Sequence, residues 1–412
     1  MLKIHQIRVE IGDTLSREHI ARKLHTVPSA VLSYEIERES LDARGGDLHF
    51  SYTVYADVRN EEKCLRLKDV SRETREDYEL PVLKKEALRP VIIGFGPAGM
   101  YAGLLLAECG LKPLVIERGS AVEKRSRDVE QFFQDGTLDE ESNVQFGEGG
   151  AGTFSDGKLT TRIKNFRIRK VLEEFVEAGA DPCIIYEHRA HLGTDVLCKI
   201  VKNIREKIIR LGGEVHFDER LEKLIVKDGH VCGILTNKDK YEAEHVILAI
   251  GHSAADTYQN LLLQGVHMEQ KDFAAGVRVE HPQSLIDTCT YGRYAGHPSL
   301  GPASYQLHAK TSVNRGVYSF CMCPGGIVIP SSIKDGEVTV PATVHHFEPP
   351  VIVPHLAVFE ELLLFCRQRI SGAIAQREFL LYSPLILRAS GIARVAILVR
   401  SANIALDTQR IQ

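Results

Sequence analysis

The spacing of apolar residues in the first part of the chain predicts a small α+β domain. Residues 3–11 alternate between apolar and polar positions, residues 16–24 have helical spacing, and residues 30–37 and 49–58 are rich in Val, Tyr and Ile. The order β-α-β-β predicts a separate domain over residues 1–85. We interpret it as a docking or scaffolding unit. A substrate- or RNA-binding role is the alternative, although no aromatic and basic patch supports it.

A second pattern, of short and wholly apolar runs, begins after this domain. Residues 91–93 and 114–116 are typical of buried strands, and residues 97–109 between them predict a helix that ends at Gly110. A β-α-β unit of this length predicts a parallel sheet and an α/β fold. The remaining predicted elements are helices at residues 165–178 and 193–210 and a buried strand at residues 246–250.

The turn between the first of these strands and its helix has the spacing Gly-x-Gly-x-x-Gly. Gly94 allows a tight turn, Gly96 lets a pyrophosphate approach the backbone, and Gly99 lets the helix pack closely on the sheet. Pro97 suits the first helical turn, and Ala98 extends the small-residue face. The start of a helix also presents free N–H groups and a partial positive charge to phosphates.

An acid at the end of the next strand strengthens this prediction. Glu117 follows the fingerprint by about 20 residues, where a carboxylate would accept hydrogen bonds from ribose hydroxyls. An acid here disfavours a 2′-phosphate, so the sequence predicts FAD or NAD rather than NADP. The alternative is a Gly-rich helix start with an acid at this spacing by chance.

Composition narrows the class of protein further. The chain has 412 residues and a formal net charge of −4, so its overall charge gives no reason to expect nucleic acid as a partner. We expect no signal peptide, and no apolar run reaches the roughly 20 residues that a membrane span needs. The nine scattered cysteines favour reduced thiols and a cytoplasmic protein, with no metal site at recognisable ligand spacing.

Further motifs carry a resemblance to a known family. They are the Gly-rich stretch at residues 147–158, the strand and glycine at residues 246–253, and Cys-x-Cys-Pro-Gly-Gly at residues 321–326. With the fingerprint, they make the chain similar to the bacterial FAD-dependent or "NAD(FAD)-utilizing" dehydrogenases, whose substrate is not established. The resemblance covers roughly residues 1–340. It implies a glutathione-reductase-like FAD domain with an inserted substrate or cap domain.

The resemblance implies noncovalent FAD, with the fingerprint and Glu117 holding its ADP half. The Gly-rich stretch would lie near the ribityl chain or isoalloxazine, and the glycine after the later strand would approach from the other side. Arg125 would reach a phosphate, or else form a surface ion pair. The residues thus assigned to the cofactor are Gly94, Gly96, Pro97, Ala98, Gly99, Glu117, Arg118, Arg125, Gly150, Thr153, Ser155, Asp156, Lys158, Gly251 and His252.

Four residues are candidates for the chemistry, although the cofactor carries the redox step in flavoenzymes. Lys158 would stabilise the anionic reduced flavin, and His252 would act as an acid or base or anchor the backbone. Cys321 and Cys323 are redox-active thiols, metal ligands or the small side chains of a tight turn. Asp156 contacts the flavin or caps the turn at its own position.

These motifs predict a flavin-dependent oxidoreductase acting on a small molecule that the sequence does not identify. No second Gly-x-Gly-x-x-Gly lies between a predicted strand and a predicted helix, so NADH or NADPH would dock transiently at the flavin as electron donor. One alternative is an FAD-binding protein whose catalysis is impaired. Another is a flavoprotein that acts on or binds RNA. The sequence does not predict the oligomeric state.

The predicted domains after the first are residues 86–265 for FAD, residues 266–340 for the cap and residues 341–412 for an atypical tail. The tail has two glycines and no lysine, and it lacks the Gly-rich segment that usually completes such an FAD site. We interpret it as out of frame or derived from elsewhere, which sequencing of the source DNA tests. A diverged helical region is the alternative. In the first case the FAD site lacks one wall.

Overall fold

The computed structural model describes most of the chain up to residue 345. The described residues are 1–43, 47–82, 89–155, 157–159, 161, 163, 165–187, 190, 192–269, 282–312, 314–319, 322–324, 326–328, 331–335 and 343–345. Two of the predicted site residues, Asp156 and Cys321, lie outside these ranges. The predicted atypical tail also lies outside them, except for residues 343–345.

The described helices and strands follow one another along the chain in three groups. The first group is β1 (Leu2–Glu10), α1 (Arg17–Lys23), β2 (Val31–Asp42), β3 (His49–Val58), α2 (Glu61–Cys64) and β4 (Val70–Arg72). The second is β5 (Val91–Ile93), α3 (Pro97–Glu108), β6 (Leu114–Ile116), α4 (Val122–Asp135), α5 (Arg167–Glu177), α6 (Thr194–Arg210) and β7 (Glu214–His216). The third is β8 (Leu221–Lys227), β9 (His230–Thr236), β10 (Lys240–Glu242), β11 (Val246–Leu248), α7 (Ala255–Leu263), α8 (Gln283–Tyr291), β12 (His308–Lys310), β13 (Gly316–Tyr318), β14 (Gly326–Val328) and β15 (Thr343–His345).

The chain folds into two compact units, each assembled from separate stretches of sequence. The first unit comprises Met1–Glu79, Lys158–Leu192 and His281–Gly325, and the second comprises Leu80–Gly157, Gly193–Glu280 and Gly326–Gln412. This differs from the predicted linear division at residues 85, 265 and 340. One physical reason is a backbone hydrogen bond within the first unit, from Glu39 N to Tyr186 O at 2.8 Å. It attaches a distant segment to β2.

An antiparallel sheet of order β2-β3-β1-β4 forms the centre of the first unit. The buried positions of β1 are Leu2, Ile4, Ile7 and Val9, and the three-residue step in the middle marks a bulge at Gln6, where φ is 56°. The bulge keeps all four side chains on the core face. Up to β3 the elements follow the predicted β-α-β-β order, and the sequence did not predict α2 and β4.

A parallel sheet of order β11-β5-β6-β7 forms the centre of the second unit. The chain runs from β5 outward through β6 to β7 and then returns to the other side of β5 as β11, after the antiparallel meander β8-β9-β10. The strand order reverses between β5 and β11, and α/β sheets bind ligands at such a switch point. The predicted α/β fold is confirmed.

Helices cover one face of this sheet and the meander covers the other. A Cβ added to Gly103 of α3 would lie 3.2 Å from the Val115 side chain and 3.3 Å from that of Ile208 in α6. On the opposite face, Val91 packs in one cluster with Ile234 of the meander. Both faces of β5 and β6 are therefore buried, which explains the wholly apolar sequences of these two strands. The strand predicted as buried at residues 246–250 forms β11, where Ile247 and Leu248 are exposed.

Replacement of Gly99 by Ala tests the close packing of α3 on the turn that follows β5. A Cβ at Gly99 would lie 1.8 Å from the carbonyl oxygen of Gly94, so the helix must shift. We expect G99A to lower the free energy of unfolding by about 1–3 kcal/mol, measured from the urea midpoint. The control is G301A, because nothing lies within 4 Å of that position. Equal midpoints for the two variants would contradict the close packing.

Candidate dinucleotide-binding site

The switch point brings together two glycine-containing turns of the second unit. Gly94 follows β5 with φ of +97°, and a Cβ there would lie 2.5 Å from the carbonyl oxygen of Ala249, which follows β11. Ala249 N donates to Ile93 O at 2.8 Å, so the parallel pairing continues to the end of both strands. Only glycine fits this turn, as the sequence predicted.

The first turn of α3 is open to solvent at this edge of the sheet. Gly96 is the N-cap, Pro97 is the first helical residue, and Pro97 and Ala98 are exposed. The first N–H groups of a helix have no partner within the helix, and they favour an anion. The helix start at which the sequence predicts phosphate binding is therefore accessible, whereas Gly99 is buried in the packing described above.

Glu117 at the end of β6 is buried and binds backbone N–H groups from three places. Its Oε2 accepts from Phe95 N at 2.6 Å, and its Oε1 accepts from Gly119 N and from Gly147 N, both at 3.0 Å. A carboxylate has about four lone-pair sites, so these three bonds leave Oε2 able to accept one more. This remaining lone-pair site on Glu117 Oε2 is the acceptor available for the predicted hydrogen bond from a ribose hydroxyl.

The Gly-rich loop packs backbone to backbone against the fingerprint turn. Gly149 N donates to Phe95 O at 2.8 Å, and a Cβ at Gly150 would lie 2.9 Å from the Cα of Gly96. Gly149 and Gly150 both have positive φ, 78° and 63°. A side chain at Gly150 would prevent this close contact between the loop and the start of α3. Gly150 remains partly exposed beside the helix start.

The structure corrects the predicted role of Arg125. Its side chain is fully buried, and Nε, Nη1 and Nη2 donate to the carbonyl oxygens of Asn143, Glu148 and Val144 at 2.9, 2.6 and 3.1 Å. Burial lowers its pKa to about 10, so the guanidinium remains charged at neutral pH. With no accessible surface, Arg125 has no face for a cofactor phosphate and forms no surface ion pair. It holds the loop instead.

Glu148 is a residue of this loop that the sequence prediction missed. Its carboxylate is fully buried, and Oε2 accepts from Val122 N at 2.7 Å and from Arg205 Nη1 at 2.9 Å. Its Oε1 has no hydrogen-bond partner among the described residues. Burial raises the pKa of Glu148 to about 7. An acid between glycines, in a motif otherwise of small residues, is the sequence signal that could have found it.

Thr153 and Ser155 hold the loop through its own backbone. Thr153 is buried and donates to Glu148 O at 3.1 Å. Ser155 is partly exposed, and its Oγ donates to Gly152 O at 2.7 Å and accepts from Gly157 N at 3.2 Å. Of the two, only Ser155 keeps surface that a ligand could touch.

The segment after β11 lies on the open side of the switch point. Gly251 has φ of 69°, and both Gly251 and His252 are exposed. The next residue, Ser253, donates to Gln145 Oε1 at 3.0 Å, and the amide of Gln145 donates to Ser331 Oγ at 2.7 Å. One buried amide therefore joins this segment to residues after β14 within the second unit.

Arg118 follows Glu117 and lies in an ionic cluster of the second unit. It donates to Glu141 at 2.9 Å and to both carboxylate oxygens of Asp256 at 2.9 and 3.1 Å. Its guanidinium also lies 4.0 Å from the centre of the Phe146 ring. The hydrogen bonds to the two acids raise the pKa of Arg118 against the effect of burial. If Arg118 contacted a cofactor, it would have to do so while also bound to Glu141 and Asp256.

The remaining chemical candidates that the structure describes lie in the first unit. Lys158 Nζ donates to the carbonyl oxygen of Met322 and, at 3.2 Å, to Cys323 Sγ. All three residues are partly exposed. Among the described residues, no group of three or more His, Cys, Asp or Glu side chains is placed to hold a metal ion. Within the same residues, no helix has the length and apolar composition to span a membrane.

Two family matches lie in separate parts of the chain. Residues 272–343 match the family described as "FAD-dependent protein, C-terminal domain-like", and residues 1–57 match a domain of unknown function, DUF8436. This part of the chain, residues 272–343, is similar to FAD-dependent proteins. The first match supports the general class of FAD-dependent oxidoreductase, and it identifies neither the substrate nor the dehydrogenase family named above.

Individual proteins are also similar to parts of the chain. The chain is 46% identical to an uncharacterized protein of Clostridium beijerinckii, in an alignment covering 84% of this chain and 66% of that protein. It is 27% identical to thiamine thiazole synthase of Pyrococcus furiosus, over 57% of this chain and 91% of that one. Protein FixC of Escherichia coli is 26% identical over 50% of this chain, which spans 46% of FixC.

Among solved structures, THI4 of Thermovibrio ammonificans aligns with a TM-score of 0.30 and 20% identity. The alignment covers 44% of this chain and 64% of that one. The overlap is too small to carry an argument about this chain. The class assignment therefore depends on the sequence matches, and the fold assignment on the strand order of the second unit.

Replacement of Glu148 by Gln tests the buried acid through the pH dependence of stability. The pKa of Glu148 is raised in the folded protein, so its contribution to stability is full below about pH 4.5 and is lost as the pH rises to about 7. The size of this loss is roughly 2–4 kcal/mol. We expect urea midpoints measured from pH 5 to 7.5 to fall less steeply for E148Q than for the wild type.

The matched control is E130Q, because Glu130 lies exposed on α4. Its pH profile should follow that of the wild type. The low pKa of Glu123, about 2 beside Arg205, affects stability only at more acidic pH and does not overlap this window. Parallel profiles for E148Q and the wild type would show that Glu148 does not titrate as we infer.

Proposed function

We propose that this chain is an FAD-dependent oxidoreductase that binds FAD noncovalently at the switch point of its second unit. The observation that carries the proposal is the open first turn of α3, directly after β5, with Glu117 at the end of the neighbouring strand. The sequence similarity to FAD-dependent proteins supports FAD over other dinucleotides.

The residues of this edge suit the ADP half of the cofactor. The first-turn N–H groups of α3, including that of Ala98, would donate to the diphosphate oxygens. Gly94 and Gly96 present backbone without side chains, and the remaining acceptor of Glu117 Oε2 would bind a ribose hydroxyl. Bound FAD would supply the acceptor and donor of electron pairs.

The exposed residues beside this edge are the proposed contacts with the rest of the cofactor. They are Gly150, Ser155, Gly251 and His252. Lys158, His252 and Cys323 are proposed for the chemistry, together with Cys321 from the sequence. Asp156 is proposed as a further contact with the cofactor. We propose NADH or NADPH as a transient electron donor, since only one Gly-x-Gly-x-x-Gly among the described residues follows a strand and opens a helix.

A second candidate is an FAD-binding protein without turnover. The match to the FAD-dependent C-terminal family ends at residue 343, and residues 341–412 contain no lysine. Under the hypothesis that this tail is out of frame, one wall of the FAD site is missing. Binding would then persist through the second unit, whereas reduction of the flavin would fail.

Replacement of Ala98 by Asp tests the position of the diphosphate. Ala98 is exposed in the first turn of α3, where an acid stabilises the helix, so the fold should be retained. The added charge would repel the diphosphate, and we expect A98D to weaken FAD binding by about 10- to 100-fold. Binding is measured by titrating the flavin-free protein with FAD and following the visible absorbance. The control A98N has the same shape without the charge.

Equal FAD affinity for A98D and A98N would place the diphosphate elsewhere. Purified wild-type protein should also show flavin absorbance and release FAD on acid treatment. Protein that stays colourless after incubation with FAD contradicts the proposal as it stands. Grafting the C-terminal third of the Clostridium beijerinckii relative would then show whether the tail or the switch point is responsible.

Anaerobic titration with NADH and with NADPH separates the oxidoreductase from the binder without turnover. For the oxidoreductase, we expect one nicotinamide nucleotide to bleach the flavin absorbance stoichiometrically, and dithionite to bleach it in either case. A flavin that dithionite reduces and neither nucleotide reduces would contradict NAD(P)H as donor. It would favour direct reduction by substrate or the second candidate.

A further inference from the structure

A cation and a thiol meet in the first unit, far apart in sequence. Lys158 Nζ lies 3.2 Å from Cys323 Sγ and also donates to the carbonyl oxygen of the preceding residue, Met322. The next residue after the lysine, Leu159, donates its N–H to Ala190 O at 2.9 Å, which fixes the backbone beside it. The contact is therefore made from two backbone segments of one unit.

The chemistry of this pair favours the deprotonated thiol. An ammonium group within hydrogen-bond distance of sulfur stabilises the thiolate, which is the nucleophilic form of cysteine. Cys323 is partly exposed, so a reagent can reach it. A cysteine serving only as a small buried side chain would have neither the cation nor the exposure.

We propose that Lys158 and Cys323 form a nucleophilic thiolate site that reacts with the electrophilic sulfur of a disulfide. The thiolate attacks one sulfur, a new S–S bond forms to Cys323, and the other sulfur leaves as a thiolate. No external oxidant is required, because one disulfide is exchanged for another. Lys158 holds the charge of the attacking sulfur. This reactivity is independent of FAD binding.

The test measures the reaction of Cys323 with 4,4′-dithiodipyridine, a probe without charge at neutral pH. A Cys321→Ser background removes the neighbouring thiol, and peptide mass spectrometry assigns the labelled position over time. Cys289 is exposed in the same unit and serves as the internal reference. At pH 7 we expect Cys323 to react faster than Cys289 in the otherwise unchanged protein.

Substitutions at Lys158 separate charge from shape. In K158M the rate at Cys323 should fall about three- to tenfold, while the rate at Cys289 stays constant. Loss of the charge lowers the fraction of Cys323 that is thiolate, and the higher nucleophilicity of the remaining thiolate offsets only part of that loss. K158R keeps the positive charge and should retain most of the rate. At pH 10, where the thiol ionises without help, the difference between K158M and the unchanged protein should disappear.

Three results would overturn the proposal. They are an unchanged Cys323 rate in K158M, an equal fall in K158M and K158R, and a difference that persists at pH 10. A change in the Cys289 rate would indicate altered folding, and K158Q then replaces K158M as the neutral variant with the same expected outcome. None of these measurements requires flavin, so their result is separate from that of the FAD titrations.

Discussion

The open edge of the second unit depends on one buried carboxylate. Glu117 accepts N–H groups from the fingerprint turn, from the end of β6 and from the Gly-rich loop. Without it, three donors would have no acceptor there, at a cost of about 1–3 kcal/mol for each one that stays buried. The acid that the sequence offers as a ribose contact is therefore also the residue that holds the surrounding turns together.

The Gly-rich loop adds a second constraint, because its backbone approaches too closely for side chains and turns carbonyl groups inward. From α4, Arg125 donates to the carbonyl of Glu148 in this loop and to the carbonyls of Asn143 and Val144 just before it. The nearby charges of Glu117 and Glu148 stabilise the charge of its guanidinium. Glu148 in turn accepts from the start of α4 and from Arg205 of α6. Buried charges thus hold the loop together with a small apolar cluster, in which Phe154 packs with Val129 and Val144.

The sequence predicted the parts of this site whose roles are local. Gly94 and Gly99 could be assigned because turn geometry and helix packing act over a few residues. The role of Arg125 could not, since its carbonyl partners follow it by 18 to 23 positions. The assembly of the first unit from three stretches escaped prediction for the same reason. Apolar spacing defines elements and carries no information about which distant stretch each one meets.

The stretch at residues 147–158 shows why contiguity in sequence is a weak argument for a shared ligand. Gly157 is the last residue of its stretch in the second unit, and Lys158 begins a stretch of the first. Thr153 donates to the loop backbone, whereas the partners of Lys158 include Met322 and Cys323 of the first unit. Thr153 and Lys158 lie in different units, so the predicted contact of each with the flavin needs its own support. Lys158 contacts the sulfur of Cys323, and this contact is the observation from which a chemical role for Lys158 can be argued.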